Sequence, residues 1–108
     1  MPTIMAEGDK TFEAPIDKKL VLAIEDAGID ILHRCGGNAR CTTCRVELLA
    51  GDAGPMGEAE QGRLAREADL PENVRLSCQI RCKNDLTIRV INHLHLTDLS
   101  DPGPRPVD

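Results

Sequence analysis

The chain has 108 residues, a formal net charge of −5 and 41% hydrophobic residues, with Phe12 as its one Phe, Tyr or Trp. This length predicts one domain with a modest aliphatic core. The acidic balance argues against nucleic acid as a partner, because phosphate binding requires a basic surface. No apolar run approaches the roughly 20 residues that span a bilayer, and the N-terminus lacks the features of a signal peptide. We therefore expect a cytoplasmic protein with no membrane partner, reduced cysteines, a domain at 1–96 and a flexible proline-rich tail at 97–108.

The first part of the chain predicts a β-hairpin followed by a helix. Strand-forming segments at 2–6 and 10–14 flank the turn sequence E-G-D. Apolar residues then recur at helical spacing, namely Leu20, Val21, Ile24 and Ala27. This spacing predicts a helix over 18–27 with Asp17 as its N-cap and Gly28 as its C-terminal stop.

The second part of the chain predicts further strands and a second helix. Apolar and polar residues alternate at 45–48 and at 86–90, which is typical of half-buried strands. A short extended segment is expected at 74–77, and a helix over 58–68 that Pro71 ends. Together these elements predict an α+β fold, with one mixed sheet and a main helix packed on one face.

Four cysteines carry the most specific signal in the sequence. Cys35, Cys41 and Cys44 lie within C-G-G-N-A-R-C-T-T-C, and Cys78 follows in R-L-S-C-Q-I. Thiolates select iron–sulfur clusters, zinc or copper(I), and four of them complete a [2Fe–2S] cluster with two on each iron. The two glycines after Cys35 allow the unusual backbone angles of a loop that wraps a compact cluster. We interpret the four cysteines as the ligands of one [2Fe–2S] cluster.

These motifs resemble the cluster signature of the [2Fe–2S] ferredoxin family, which has the β-grasp (ubiquitin-like) fold. The five-residue gap between the first two cysteines resembles that of the adrenodoxin-like and related bacterial branches. The resemblance covers nearly the whole predicted domain. It implies that Cys35 and Cys41 bind the outer iron, and that Cys44 and Cys78 bind the inner one. It also implies a one-electron carrier, not an enzyme, which accepts electrons from a ferredoxin reductase and delivers them to an oxygenase or another redox enzyme. We expect this carrier to be a monomer.

The chain departs from the adrenodoxin group at two places. Arg45 stands where that group usually has His, and the stretch at 58–69 mixes basic residues into what is a strongly acidic docking helix in that group. We interpret Glu58 and Glu60 as a solvated helix start with partner docking as a secondary role. Arg40 and Arg45 are interpreted as docking or cluster-field charges, with plain surface solvation as the alternative.

The fifth cysteine, Cys82, is interpreted as a spare, partly buried thiol. The alternative is that it replaces Cys78 as a ligand when Cys78 is lost. A zinc site of Cys41, Cys44, Cys78 and Cys82 is the main rival to the cluster. That site would leave Cys35 and the glycines beside it without a role.

The three histidines are not interpreted as metal ligands. His93 and His95 would share one face of a strand, but the Cys-x-His motifs of a Rieske centre are absent from the sequence. His33 precedes the cysteine loop, where its titration would make a nearby potential pH-dependent. Ordinary surface positions are the favoured interpretation of all three. A redox sensor is the second functional hypothesis, although the chain supplies no output domain for it.

Overall fold

A five-stranded mixed sheet organises the residues that the computed structural model describes, which are 2–31, 44–65 and 73–91. The strands are β1 (Thr3–Ala6), β2 (Thr11–Glu13), β3 (Arg45–Ala50), β4 (Val74–Leu76) and β5 (Leu86–Val90). Two helices, α1 (Leu20–Asp26) and α2 (Glu58–Leu64), and a 3-10 turn at Ser77–Gln79 accompany the sheet. The sheet order is β2-β1-β5-β3-β4.

The strand pairing agrees with the alternation in the sequence. β1 and β2 form the predicted antiparallel hairpin, with Ile4 opposite Phe12. β1 then pairs in parallel with β5, where Ile4 lies opposite Leu86. β5 pairs antiparallel with β3, and β3 antiparallel with β4. The apolar residues of β5 are buried while Arg89 is exposed, so the predicted strand and its inward face are confirmed.

The core lies between the sheet and α1. Five consecutive residues of this helix, Leu20–Ile24, are buried. Inward side chains of three neighbouring strands meet them in one cluster, including Ile4, Val46 and Ile88. Phe12 is only partly buried and packs against the side of that cluster, so the centre is aliphatic as predicted.

The predicted start of α1 is wrong. The helix begins at Leu20 with Lys19 at the N-cap, while Asp17 has a left-handed φ of 69°. The backbone before the helix is paired with the segment that follows the 3-10 turn. There the amide of Cys82 donates to the carbonyl of Lys18 at 2.8 Å, and the amide of Asp17 donates to the carbonyl of Cys82 at 2.8 Å. This tertiary pairing holds residues 17–19 out of helical geometry, whereas the predicted stop at Gly28 is confirmed by its φ of 89°.

Several expectations fall on residues outside the described ranges. They are the end of the second helix near 68, Pro71, the tail at 97–108, and the three histidines at 33, 93 and 95. Of the helices in the described ranges, none has the length and apolar character needed to cross a membrane.

Candidate metal centre

The register of β3 and β4 brings two of the four predicted ligands together. Arg45 lies opposite Leu76, so Cys44 comes opposite the residue before Cys78. Both cysteines are only 1% exposed, and both are free thiols. The other two predicted ligands, Cys35 and Cys41, lie outside the described residues.

The two cysteine side chains interact directly. A hydrogen bond with the Cys78 side chain, and then burial, raise the pKa of the Cys44 thiol well above its ordinary value. Beside Cys78 and away from water, the Cys44 thiolate meets repulsion and loses its hydration, so Cys44 favours its protonated form. A cation bound between them removes that penalty and displaces the protons. The pair therefore fits a thiolate-bound iron centre in both donor type and placement.

Ser77 and Gln79 form hydrogen bonds with this cysteine pair, one at the backbone of Cys44 and one at the sulfur of Cys78. The hydroxyl and the amide of Ser77 both donate to the carbonyl oxygen of Cys44, at 2.7 and 3.2 Å. The side-chain amide of Gln79 donates to the sulfur of Cys78 at 3.4 Å. Hydrogen bonds to a ligand sulfur stabilise negative charge on it and influence the potential of an iron–sulfur centre.

A buried ion pair supports the strand that leads to Cys78. Arg75 donates to both carboxylate oxygens of Glu60, from Nε at 2.7 Å and from Nη2 at 3.1 Å. The amide of Leu76 donates to Glu60 Oε2 at 2.9 Å. Glu60 is 1% exposed, so its interpretation as a solvated docking residue is wrong, although Glu58 is exposed as predicted. The carboxylate turns inward because Arg75 and the Leu76 amide supply the donors that its burial requires.

Cys82 lies apart from the pair. It is fully buried rather than partly buried, because it belongs to the hydrophobic core cluster. Within the described ranges, which contain Cys44, Cys78 and Cys82, no three His, Cys, Asp or Glu side chains are close enough to hold a metal ion. Cys82 thus does not join Cys44 and Cys78, and the four-cysteine zinc set is contradicted.

The supporting residues differ in how far the sequence predicts them. Gln79 follows Cys78 directly, so its position suggests a contact with the ligand. Glu60 and Arg75 are separated by 15 positions and no motif links them. Arg45 is half-buried beside Cys44, while Arg40 falls outside the described residues.

Comparison with protein families and curated proteins gives one consistent assignment. Residues 4–83 match the model of the 2Fe-2S iron–sulfur cluster binding domain. A subunit of the Na(+)-translocating NADH-quinone reductase of Marinomonas sp. (strain MWYL1) is 35% identical over 88 residues, which are 82% of this chain and 21% of that protein. The corresponding subunit of Methylococcus capsulatus is 31% identical over 87 residues, which are 81% of this chain and 21% of that protein. The chain thus spans about a fifth of the length of the curated relatives it matches.

Solved structures with the same architecture include small ferredoxins. An ISC-like [2Fe-2S] ferredoxin of Pseudomonas putida superimposes with a TM-score of 0.72 and 26% identity, over 86% of this chain and 94% of that one. A chain of the covalent putidaredoxin reductase–putidaredoxin complex has a TM-score of 0.64 and 28% identity, over 82% of this chain and 94% of that one. These similarities confirm the predicted α+β fold of the β-grasp type.

Proposed function

We infer that Cys35, Cys41, Cys44 and Cys78 hold a [2Fe–2S] cluster, because the chain belongs to the family of 2Fe-2S iron–sulfur cluster binding domains. The solved neighbours that span the same length include a small [2Fe-2S] ferredoxin, and the chain is likewise an electron-transfer protein. The observation that carries the ligand assignment is the contact between the buried side chains of Cys44 and Cys78. The places of Cys35 and Cys41 in the ligand set rest on their motif alone.

The cluster, when bound, accepts and releases one electron. The residues of the chain hold and insulate it. Ser77 fixes the Cys44 carbonyl, and Gln79 donates to the Cys78 sulfur. The low exposure of both cysteines keeps water away from this side of the centre, which strengthens each hydrogen bond and charge interaction there.

As the physiological role, we propose a freely diffusing cytoplasmic carrier. It would accept electrons from a ferredoxin reductase and deliver them to an oxygenase or another redox enzyme. Putidaredoxin, a structural neighbour, forms a covalent complex with a reductase in one solved structure, which supports the reductase as donor. Small, charge-steered interfaces are typical of such encounters.

The curated relatives favour a second candidate, a fixed electron relay within a larger assembly. Their names place them as subunits of a Na(+)-translocating NADH-quinone reductase. The two candidates predict different partner kinetics. A free carrier exchanges partners within seconds and its reduction rate falls with ionic strength, whereas a fixed relay elutes with its partner and its rate is independent of carrier concentration.

The experiment that tests the cluster assignment is anaerobic spectroscopy with metal analysis. Two irons and two acid-labile sulfides per chain are expected, with an EPR signal that arises only after dithionite reduction. Serine variants of Cys35, Cys41, Cys44 and Cys78 should each lose the wild-type spectrum, while Cys82→Ser should keep it. A wild-type spectrum from any of the four ligand variants would contradict the assignment of that cysteine.

A further inference from the structure

A groove of mixed polar and apolar lining begins next to the candidate metal centre, at Gln79. Gln79, Arg81 and Lys83 line one wall, and residues 52–55 line the other. Its volume is about 210 Å³. The groove is therefore smaller than the roughly 300–1,000 Å³ of pockets that bury a small molecule, and its size suits a single side chain.

Both walls of the groove are held in place by hydrogen bonds. Arg75 Nη1 donates to the carbonyl of Gly54 at 3.0 Å, which ties the 52–55 wall to the buried ion pair. The side-chain amide of Asn84 donates to the carbonyl of Asp52 at 3.1 Å and joins the two walls. The other wall is paired through its backbone with residues 17–20. A side chain that enters the groove therefore contacts a surface that is already ordered.

The groove lining has two cationic side chains, Arg81 and Lys83, against one carboxylate, on a protein whose net charge is −5. Arg81 is exposed and its Nη1 donates to the carbonyl of Asp17 at 3.2 Å. The Lys83 side chain is 67% exposed. The carboxylate of Asp52 lines the groove, and that of Asp17 lies beside it. Asp52 accepts a hydrogen bond from the Gly54 amide at 2.8 Å, and Asp17 lies 3.8 Å from Lys83 in a pair that is exposed on both sides. Such an exposed pair is weak, so Lys83 stays available to a stronger anionic guest.

One end of the groove touches a predicted ligand of the cluster. The Gln79 side chain lines the groove and its amide donates to the Cys78 sulfur at 3.4 Å. Only one side chain therefore separates the guest site from that sulfur. This short separation is what electron exchange across the surface requires.

We propose that this groove is an electron-exchange surface that receives an acidic side chain of a redox partner protein. The proposal rests on the electron-carrier function proposed above. The partner's carboxylate sits between Arg81 and Lys83 and brings the partner's own redox group toward Gln79. Because the walls are fixed, little is lost in ordering them when the partner binds.

The test is stopped-flow oxidation of the reduced holoprotein by ferricyanide, a small anionic probe. Each reduced protein gives one electron to one ferricyanide, which becomes ferrocyanide, and no bond or proton is transferred. Lys83→Glu reverses one charge in the groove. Lys10→Glu makes the same change at an exposed residue that does not line it and serves as the matched control. At about 0.1 M ionic strength, charges more than about 10 Å from the route are largely screened.

Under these conditions Lys83→Glu should slow the oxidation by at least about fivefold, and Lys10→Glu by less than about twofold. Arg81→Gln, which removes one charge, should slow it by about half as much on a logarithmic scale. The cationic oxidant hexaamminecobalt(III) should show the opposite response to Lys83→Glu. A hexaglutamate peptide should slow ferricyanide oxidation of the wild type and leave Lys83→Glu unaffected.

The groove proposal would be overturned if Lys83→Glu and Arg81→Gln both keep oxidation rates within about twofold of the wild type. The electron-carrier function would still stand in that case, provided the wild type is reduced and reoxidised. A hexaglutamate peptide without effect on the wild type would overturn the choice of an acidic side chain as the guest. If dithionite fails to reduce the wild-type holoprotein at all, the electron-carrier function falls, and the groove proposal falls with it.

Discussion

Replacing Glu60 tests whether the buried ion pair supports the metal centre. The carboxylate accepts three hydrogen bonds, two from Arg75 at 2.7 and 3.1 Å and one from the Leu76 amide at 2.9 Å. The Arg75 side chain is 9% exposed, so its charge would remain buried without a counter-ion. Removing one partner of a buried pair costs about 3–5 kcal/mol of unfolding free energy. Glu60→Gln keeps one acceptor oxygen and should lower the unfolding free energy by about 3 kcal/mol. Glu60→Ala should lower it by about 5 kcal/mol.

The assay is anaerobic thermal unfolding of the holoprotein, followed by cluster absorbance and far-UV circular dichroism. A loss of about 3 kcal/mol lowers the midpoint of a domain this small by at least about 12 °C. Glu47→Gln is the matched control, because Glu47 pairs across strands with Arg89, whose side chain is 54% exposed. The Glu47 side chain is 16% exposed but its cation reaches solvent, so loss of the pair should cost about 1 kcal/mol or less.

Equal midpoints for Glu60→Gln and Glu47→Gln would refute the reasoning, because the buried pair would then contribute no more than an exposed one. A second comparison separates lost attraction from uncompensated charge. Glu60→Leu with Arg75→Leu should be more stable than Glu60→Leu alone, since the double change removes the unpaired cation. A double variant that loses the sum of both single losses would contradict this explanation.

Three further changes have distinct expected outcomes. Ser77→Ala removes the hydroxyl that donates to the carbonyl of Cys44 but keeps the amide donor, so it should cost about 1 kcal/mol in denaturant unfolding without loss of the cluster. Cys82→Ser places a hydroxyl at a fully buried position, so it should lower stability by about 1–3 kcal/mol while the visible spectrum is retained; a colourless variant would reject the spare-thiol interpretation. Gly51→Ala directs a Cβ to 2.4 Å from the carbonyl oxygen of the residue before β5, at a φ of 98°, and should cost more than about 2 kcal/mol. Gly8→Ala, with a similar φ of 83° and nothing within 4 Å, should cost only about 1–2 kcal/mol, and equal losses for the two glycine variants would exclude the close contact as the cause.

The regular elements are predictable because their signals are local. Alternation of apolar and polar residues locates β3 and β5, a turn between strand-forming segments locates β1, and Gly28 locates the end of α1. The start of α1 is not predictable in this way. Asp17 is a favourable N-cap by residue type, but the backbone around it pairs with residues 80–82, which are distant in sequence. Tertiary pairing overrides a local preference of about 1 kcal/mol.

For the metal centre, the sequence predicts the ligand residues but not the residues that surround them. Cysteine spacing indicates Cys44 and Cys78, and the structure brings them into contact because the β3–β4 register sets one almost opposite the other. The residues that support this contact include the ion pair of Glu60 and Arg75, and no sequence motif links those two residues. The polar sequence neighbours of Glu60 favour a solvated residue, yet its burial is decided by Arg75, which is distant along the chain.

Arg75 links the candidate metal centre to the groove. Its Nε and Nη2 groups bind Glu60, which also receives the Leu76 amide just before the turn that contains Cys78. Its Nη1 group binds the Gly54 carbonyl in the opposite wall of the groove. Moving that wall would break a hydrogen bond to a charged donor, worth about 1.5–3 kcal/mol. A partner's side chain would therefore bind to a groove whose geometry is fixed by the same cation that holds the approach to Cys78, so that the distance to the sulfur is set by the protein before the partner arrives.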